Sequence, residues 1–364
     1  MTKIRDVCVT GAGGYVGSLL VPRLLEAGYR VTALDQFWFG DYLPVHPALT
    51  ILKRDIRQLS GWDFQGHDAV IHLACISNDT CCQLDEALST SINYDAFEPL
   101  VLAAKRAGVR RFIYCSSISA YGSTTAPTVN EDHPLSGLTL YGKYKGLCEP
   151  LLLKHLDDSF TGVIVRPATA CGYAPRMRFD LTVNILTMHA ILKRRITVHG
   201  GDQERPHLHI RDMCRMYEEL LVADKSRIQG QVFNVGSRNV SLIEIARSVK
   251  KVVEEEIRGE PIAIDVQQRQ DDRTYSISCE RIKSAIGFEP EFTFEDAVRE
   301  LCWKFQGGEF EDALTNPIYM NVGQYIGHGF GKLGRRSFLP TAALTRFITA
   351  TCCTCRRRRS WATF

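Results

Sequence analysis

Tyr141 and Lys145, in Tyr141-Gly142-Lys143-Tyr144-Lys145, are of types that could do chemistry together. Four residues apart, they share one face of a helix. A free phenol titrates near pH ~10 and is a poor base at neutral pH. A nearby ammonium, helped by a positive ring on an oxidised cofactor, stabilises the phenolate and draws that value down. Such a pair can take a proton from a hydroxyl group. Ser117, at the end of Tyr114-Cys115-Ser116-Ser117, is placed to hold the same hydroxyl oxygen.

Upstream, Thr10-Gly11-Ala12-Gly13-Gly14-Tyr15-Val16-Gly17 follows an apolar run, Val7-Cys8-Val9-Thr10, and opens a helical stretch from Tyr15 to Ala27. Glycines let the backbone turn tightly and approach a pyrophosphate, which rests on the helix N-terminus. Strand before, helix after and an acid ending the next strand turn a weak pattern into a dinucleotide signature. That acid is Asp35, after Val31-Thr32-Ala33-Leu34. Its carboxylate can accept from ribose hydroxyls and would repel a 2′-phosphate, so NAD is expected rather than NADP. Asp55-Ile56 is placed to flank the adenine. Leu73 and Ala74, after His72, offer small residues where a dinucleotide crosses the sheet.

These residues need strands and helices in alternation to meet. Further strands are read at Leu49–Leu52, Ala69–Ala74, Arg111–Ser116 and Val163–Arg166, with helices at Ser91–Ala107 and Tyr141–Leu156. Short, continuously apolar strands separated by helices predict an α/β fold with a parallel sheet covered on both faces. After Pro167 the alternation turns irregular, with helices at Leu181–Lys193, Arg211–Ala223, Leu242–Glu255 and Phe294–Phe305, the last capped by Thr293. The expected division is a dinucleotide domain over 1–166 and a smaller C-terminal domain over 167–313, partly interleaved with it. Residues 314–364 read as a basic, poorly ordered tail.

Composition narrows the function classes. At 364 residues, 45% hydrophobic and 23% charged, the chain is of globular type rather than fibrous or disordered. Net charge is +3, yet eight Lys or Arg and no acid follow Leu314, which leaves −5 on residues 1–314. An acidic body argues against nucleic-acid binding. Thirteen cysteines in a long chain, many in apolar runs, read as reduced thiols of a cytoplasmic protein. Adjacent Cys81-Cys82 has no nearby second ligand pair, so no metal site is expected. No apolar run reaches the ~18 residues of a membrane span. In the tail, Cys352, Cys353 and Cys355 adjoin Arg356–Arg359, a pattern open to an electrostatic or lipidated anchor as well as to plain disorder.

Taken in order, the glycine loop, Asp35, Asp55-Ile56, His72-Leu73-Ala74, Asn93, Ser116-Ser117, Tyr121-Gly122, Tyr141-x-x-x-Lys145 and Phe233-Asn234-Val235-Gly236 resemble the extended short-chain dehydrogenase/reductases, specifically their nucleotide-sugar epimerase/dehydratase group. The resemblance covers about residues 4–306 and implies a Rossmann, doubly wound parallel sheet with a smaller C-terminal α/β substrate-binding domain. It implies NAD held by Gly11, Gly14, Tyr15, Val16, Gly17, Asp35, Asp55, Ile56, Leu73, Ala74 and Asn93, with Ser117, Tyr141 and Lys145 as catalytic residues. On the substrate side it implies a nucleoside-diphosphate sugar contacted by Ser117, Thr169, Asn184, Arg205 and Arg273, with Arg269 competing for the last place. It also makes a homodimer the expected assembly. Two departures matter. Thr169 stands where many members carry Asn, and Ser117 is followed by Ile118 and Ser119 where the dehydratases carry an Asp-Glu pair. The expectation is therefore a nucleotide-sugar epimerase acting through a transient keto sugar at C4. A 4-dehydrogenase or reductase, a 4,6-dehydratase, and a non-catalytic NAD sensor are the alternatives.

Overall fold

A parallel sheet runs through the molecule, and its strand ends carry the residues singled out above. The computed structural model describes residues 3–124, 126–267 and 276–329. The chain runs β1 (Asp6–Thr10), α1 (Gly17–Glu26), β2 (Arg30–Asp35), β3 (Leu49–Lys53), β4 (Ala69–His72), α2 (Phe97–Arg106), β5 (Arg111–Cys115), α3 (Leu140–Leu153) and β6 (Thr161–Pro167). Then come α4 (Thr182–Lys193), α5 (Ile210–Val222), β7 (Val232–Val235), α6 (Leu242–Glu256), α7 (Phe294–Gln306) and α8 (Asn321–Gly327). The seven strands lie in the order β7-β6-β5-β4-β1-β2-β3, every pair parallel. The order reverses between β1 and β4, which opens a crevice at the carboxyl ends of those strands.

The central strands β4 and β6 are buried along their whole length because both faces are covered, whereas the edge strand β3 is largely exposed. Val7 and Val9 of β1 face a core shared with α1 and α5, through Leu20, Leu24, Met213 and Met216. Cys8 between them faces the opposite core, with Phe97, Leu100 and Leu152 from α2 and α3. The sheet takes its outermost strand, β7, and a covering helix, α5, from beyond residue 167. A second core packs α4, α6 and α7 through Val183, Val249 and Val298. Two small sheets accompany it, Asn239–Ser241 with Glu204–His209 and Thr169–Cys171, and Ala263–Gln267 with Arg195–His199. Thr293 caps α7 in a reciprocal pair with Asp296, as its sequence suggests.

The stretch expected to begin a poorly ordered tail requires correction. Pro317–Tyr319 forms a 3-10 turn, α8 follows, and Asn321 and Tyr325 are buried. Residues 330–364, with the Arg356–Arg359 run, lie outside the described residues. Among the described residues every cysteine is a free thiol, and no helix is long and apolar enough to cross a membrane.

Candidate functional site

The crevice at the switch point deepens into a cavity of about 340 Å³. Gly11, with φ of +78°, turns the chain out of β1, and a Cβ there would lie 2.6 Å from the Ala74 nitrogen. At Gly17 a Cβ would lie 2.5 Å from the Gly11 and Ala12 carbonyl oxygens. Neither position can carry a side chain, so the loop backbone packs directly on the β4 end and opens α1. No side chain caps α1 at Val16. The Ser18 N–H goes to the Gly14 oxygen (2.9 Å) and the Leu19 N–H to the Val16 oxygen (3.2 Å). It is the backbone N–H groups just ahead of them, at residues 15–17, that can meet an anion. Asp35 ends β2 and accepts from the backbone N–H of Gly13 (3.0 Å) and Phe37 (2.7 Å). Burial raises its carboxyl, and those amide bonds pull it back. Each carboxylate oxygen keeps capacity for another donor, such as a ribose hydroxyl. Ile56, Leu73 and Ala74 complete this wall. Asp55 caps the turn at Ile56–Gln58 and is held below the usual carboxylate range by Arg57. Collision-limited glycines, an uncapped helix start and an acid at the β2 end together fit a dinucleotide.

The other wall carries the proton-transfer residues. Ser117 caps the short turn Ile118–Tyr121, its Oγ accepting from the Ser119 N–H (3.1 Å). Thr139 caps α3, with Oγ1 accepting from the Gly142 N–H (3.2 Å). A Cβ on Gly142 would lie 2.4 Å from the Ser119 oxygen, so glycine lets α3 close onto this turn. Closure brings Tyr141 and Ser117 onto one wall of the cavity. Lys145, one turn on and buried, donates from Nζ to the Cys115 oxygen at 2.5 Å and lies 5.8 Å from the Tyr141 ring centre. Burial raises the phenol above its ordinary value, and the ammonium only partly offsets this. Lys145 thus acts in the expected direction, and burial of the ring outweighs it. Burial also opposes the Lys145 charge, but Cys75, Tyr141 and Cys115 outweigh it and hold the ammonium protonated.

A buried network braces this wall. Arg166 makes a two-pronged pair with Glu149, Nε to Oε1 at 2.9 Å and Nη2 to Oε2 at 2.6 Å. Ser116 Oγ donates to the same carboxylate (2.6 Å), and Arg166 Nη1 donates to the Tyr121 hydroxyl (2.8 Å). Tyr121 in turn donates to Asn234 Oδ1 (2.7 Å). One network thereby joins α3, β5, β6 and β7. Tyr121 and Asn234 stood out in the sequence, whereas Glu149 did not, because nothing local marks an acid on an apolar helix face.

Thr169 lines the cavity, whereas several other expected contacts do not. Asn184 is fully buried, accepting from the Gly172 N–H (3.0 Å) and donating to the Tyr15 hydroxyl (3.1 Å) and the Arg178 oxygen (2.9 Å). It thus sits in the packing between the two halves. Asn93 pins the loop after β4 through both backbone groups of Ile76. Arg205 stands on Glu204–His209, away from the cavity wall, and donates to the Glu204 oxygen (3.0 Å). Arg269 and Arg273 lie outside the described residues. Sequence reasoning passed over Arg176, Arg178, Asn321 and Tyr325, all on the wall. Tyr173-Ala174-Pro175-Arg176-Met177-Arg178 offered a signal, two arginines in a Pro-containing loop near a strand end.

A family model described as the NAD dependent epimerase/dehydratase family matches residues 7–236. Over 329 residues the chain is 25% identical to a dTDP-glucose 4,6-dehydratase of Streptomyces niveus, spanning 85% of this chain and 96% of that protein. Over 333 residues it is 26% identical to a UDP-glucose 4-epimerase of Corynebacterium glutamicum, spanning 82% and 94%. A solved UDP-glucuronic acid 4-epimerase of Bacillus cereus, in complex with UDP-glucuronic acid and NAD, matches with a TM-score of 0.72 at 23% identity. That match covers 83% of this chain and 99% of the other, and it speaks for the fold. A dinucleotide cradle facing a Ser-Tyr-Lys wall, on a chain matched over 7–236, places this protein in the NAD-dependent epimerase/dehydratase family of extended short-chain dehydrogenase/reductases.

Proposed function

We propose that the protein is a nucleotide-sugar epimerase that inverts C4 through a transient 4-keto sugar. The observation that carries this reading is the Tyr141 phenol beside the Lys145 ammonium, on the same cavity wall as Ser117, with Ile118 and Ser119 next along it. NAD is the cofactor; when bound, it takes up the hydride from the sugar carbon and returns it. Tyr141 accepts the proton of the C4 hydroxyl and gives it back when the carbonyl is reduced from its other face. Ser117 holds that oxygen throughout, and Lys145 limits the cost of the phenolate. Thr169, Arg205 and Arg273 are the chain's candidates for holding the sugar nucleotide. Guanidinium forks suit its diphosphate. We place the enzyme in the cytoplasm, as a homodimer.

Elimination of water from a 4-keto sugar needs an acid and a base near C5 and C6. An aliphatic Ile118 supplies neither, and an unactivated Ser119 does either poorly. The 4,6-dehydratase reading keeps one supporting observation, a carboxylate at Asp79 on the cavity wall. Mass spectrometry of ligands released from the purified protein, followed by UDP-, GDP-, dTDP- and CDP-sugars, selects the substrate. That substrate in D₂O should then yield the C4 epimer with no deuterium at carbon and no lasting absorbance at 340 nm. A 4-keto-6-deoxy product would replace the epimerase by a dehydratase, and stoichiometric NADH release by a dehydrogenase. Deuterium at C3 or C5 would move the chemistry to a neighbouring carbon.

A further inference from the structure

Arg176 is fully buried on the cavity wall, and among the described residues it has no carboxylate partner. Its Nη2 donates to Asn321 Oδ1 at 2.5 Å, its guanidinium lies 3.9 Å from the Phe39 ring centre, and its Nε has no acceptor. Neighbouring Arg178, by contrast, is paired with Asp180 at 2.6 Å. Burial and Arg178 lower the Arg176 pKa to about 10, which still leaves it charged at neutral pH. A buried charge of this kind is costly unless something of opposite sign arrives. The Arg176 backbone N–H donates to Ser18 Oγ (3.1 Å), in the first turn of α1. Two positive features, the guanidinium and the start of α1, therefore border one stretch of the cavity. A diphosphate answers both.

Asn321 comes from α8, well beyond the matched residues 7–236. It is buried, donates from Nδ2 to Ser77 Oγ (2.9 Å), and its backbone N–H reaches Asp180 (3.3 Å). One turn on, Tyr325 is also buried, edge-on to Trp38 (5.9 Å) and Phe39 (5.5 Å) on the loop that follows Asp35. His328 shares a hydrogen bond with the Trp38 oxygen (2.6 Å). The segment thus spans the cavity's rim from the loop after β2 to the loop bearing Arg176. An amide at 321 orients the guanidinium without neutralising it. A carboxylate there would do both.

We propose that Asn316–His328 is a cofactor-retaining strap, in which Asn321 is the positioning residue that aims Arg176 at the diphosphate of NAD. The proposal rests on the cavity being the NAD site, and it is independent of which sugar carbon reacts. Full-length protein, stripped of nucleotide, is titrated with NAD by calorimetry, and its melting temperature is recorded without NAD. Asn321→Asp keeps the acceptor for Arg176 but adds the opposing charge. NAD affinity should fall by about tenfold or more, the scale of a lost hydrogen bond to a charged group, while the melting temperature holds or rises. Arg176→Gln should lose a similar factor, and the double variant should lose no more than either single one. Wild-type affinity in either single variant would overturn the proposal, as would losses that add in the double. Should Asn321→Asp fail to fold, Arg176→Gln decides by the same criterion. A failure of the epimerase reading would appear in the sugar products and leave these affinities unchanged.

Discussion

At the residue scale, proton transfer depends on one oxygen held in an unfavourable place. Burial raises the Tyr141 phenol, and Lys145 draws it part of the way back. Tyr141→Phe keeps the ring and its packing but removes the proton acceptor. Turnover should fall roughly 10²–10⁴-fold, the range for loss of a general acid–base group, with the melting temperature unchanged. Steady-state kinetics on the well-folded variant checks this, and near-normal turnover would show that the chemistry lies elsewhere. The pair was legible in the sequence because four-residue spacing is a local property of any helix. The balance of its pKa was not, since burial depends on what the rest of the chain packs around the ring.

At the scale of elements, α3 carries Tyr141 and Lys145 at its start and Glu149 two turns along its length. The Glu149–Arg166 pair ties that helix to β6, with both side chains buried. Breaking a buried pair from one side leaves an uncompensated charge and typically costs about 3–5 kcal/mol. Glu149→Gln should destabilise by about that much, read by urea unfolding, and it should loosen the wall that holds Ser117 and Tyr141. A change below ~0.5 kcal/mol, the level of an ordinary surface substitution, would mean the pair does not brace the site. Gly142 works at the same scale, because its missing side chain sets how closely α3 meets the Ser117 turn.

At the scale of the whole molecule, buried histidines make stability depend on pH. Burial lowers His72, at the end of β4, to about 3, with Lys145 adding to the effect, and it lowers His207 to about 4. Both are neutral in the fold, while in the unfolded chain they bind a proton below about pH 6.5. Their contribution is complete above that value and is lost as pH falls towards the folded values. For the two together the loss between pH 7.5 and 5.5 is on the order of 2–3 kcal/mol. Denaturant unfolding at the two pH values reads this together with the contributions of other histidines that burial lowers, such as His189. His207→Gln should reduce the difference by about 1.4 kcal/mol. Equal stability of the wild-type chain at both pH values would contradict this account.

The features legible in the sequence were those imposed by neighbouring residues. Gly17 is required by the Gly11 and Ala12 oxygens of its own loop, Gly11 by the positive φ with which it turns that loop, and Asp35 follows them at the end of the next strand. Continuous apolar runs placed six strands of the parallel sheet, because strands buried on both faces have no polar side. Tertiary structure alone decided what distant segments do to one another. It set Asn321 against Arg176, 145 residues apart, and Glu149 against Arg166. It turned the Asn184 amide into the packing between the two halves and drew β7 into the first sheet. Such contacts leave no period in the sequence, since each depends on the path of the whole chain and on which polar groups burial deprives of water.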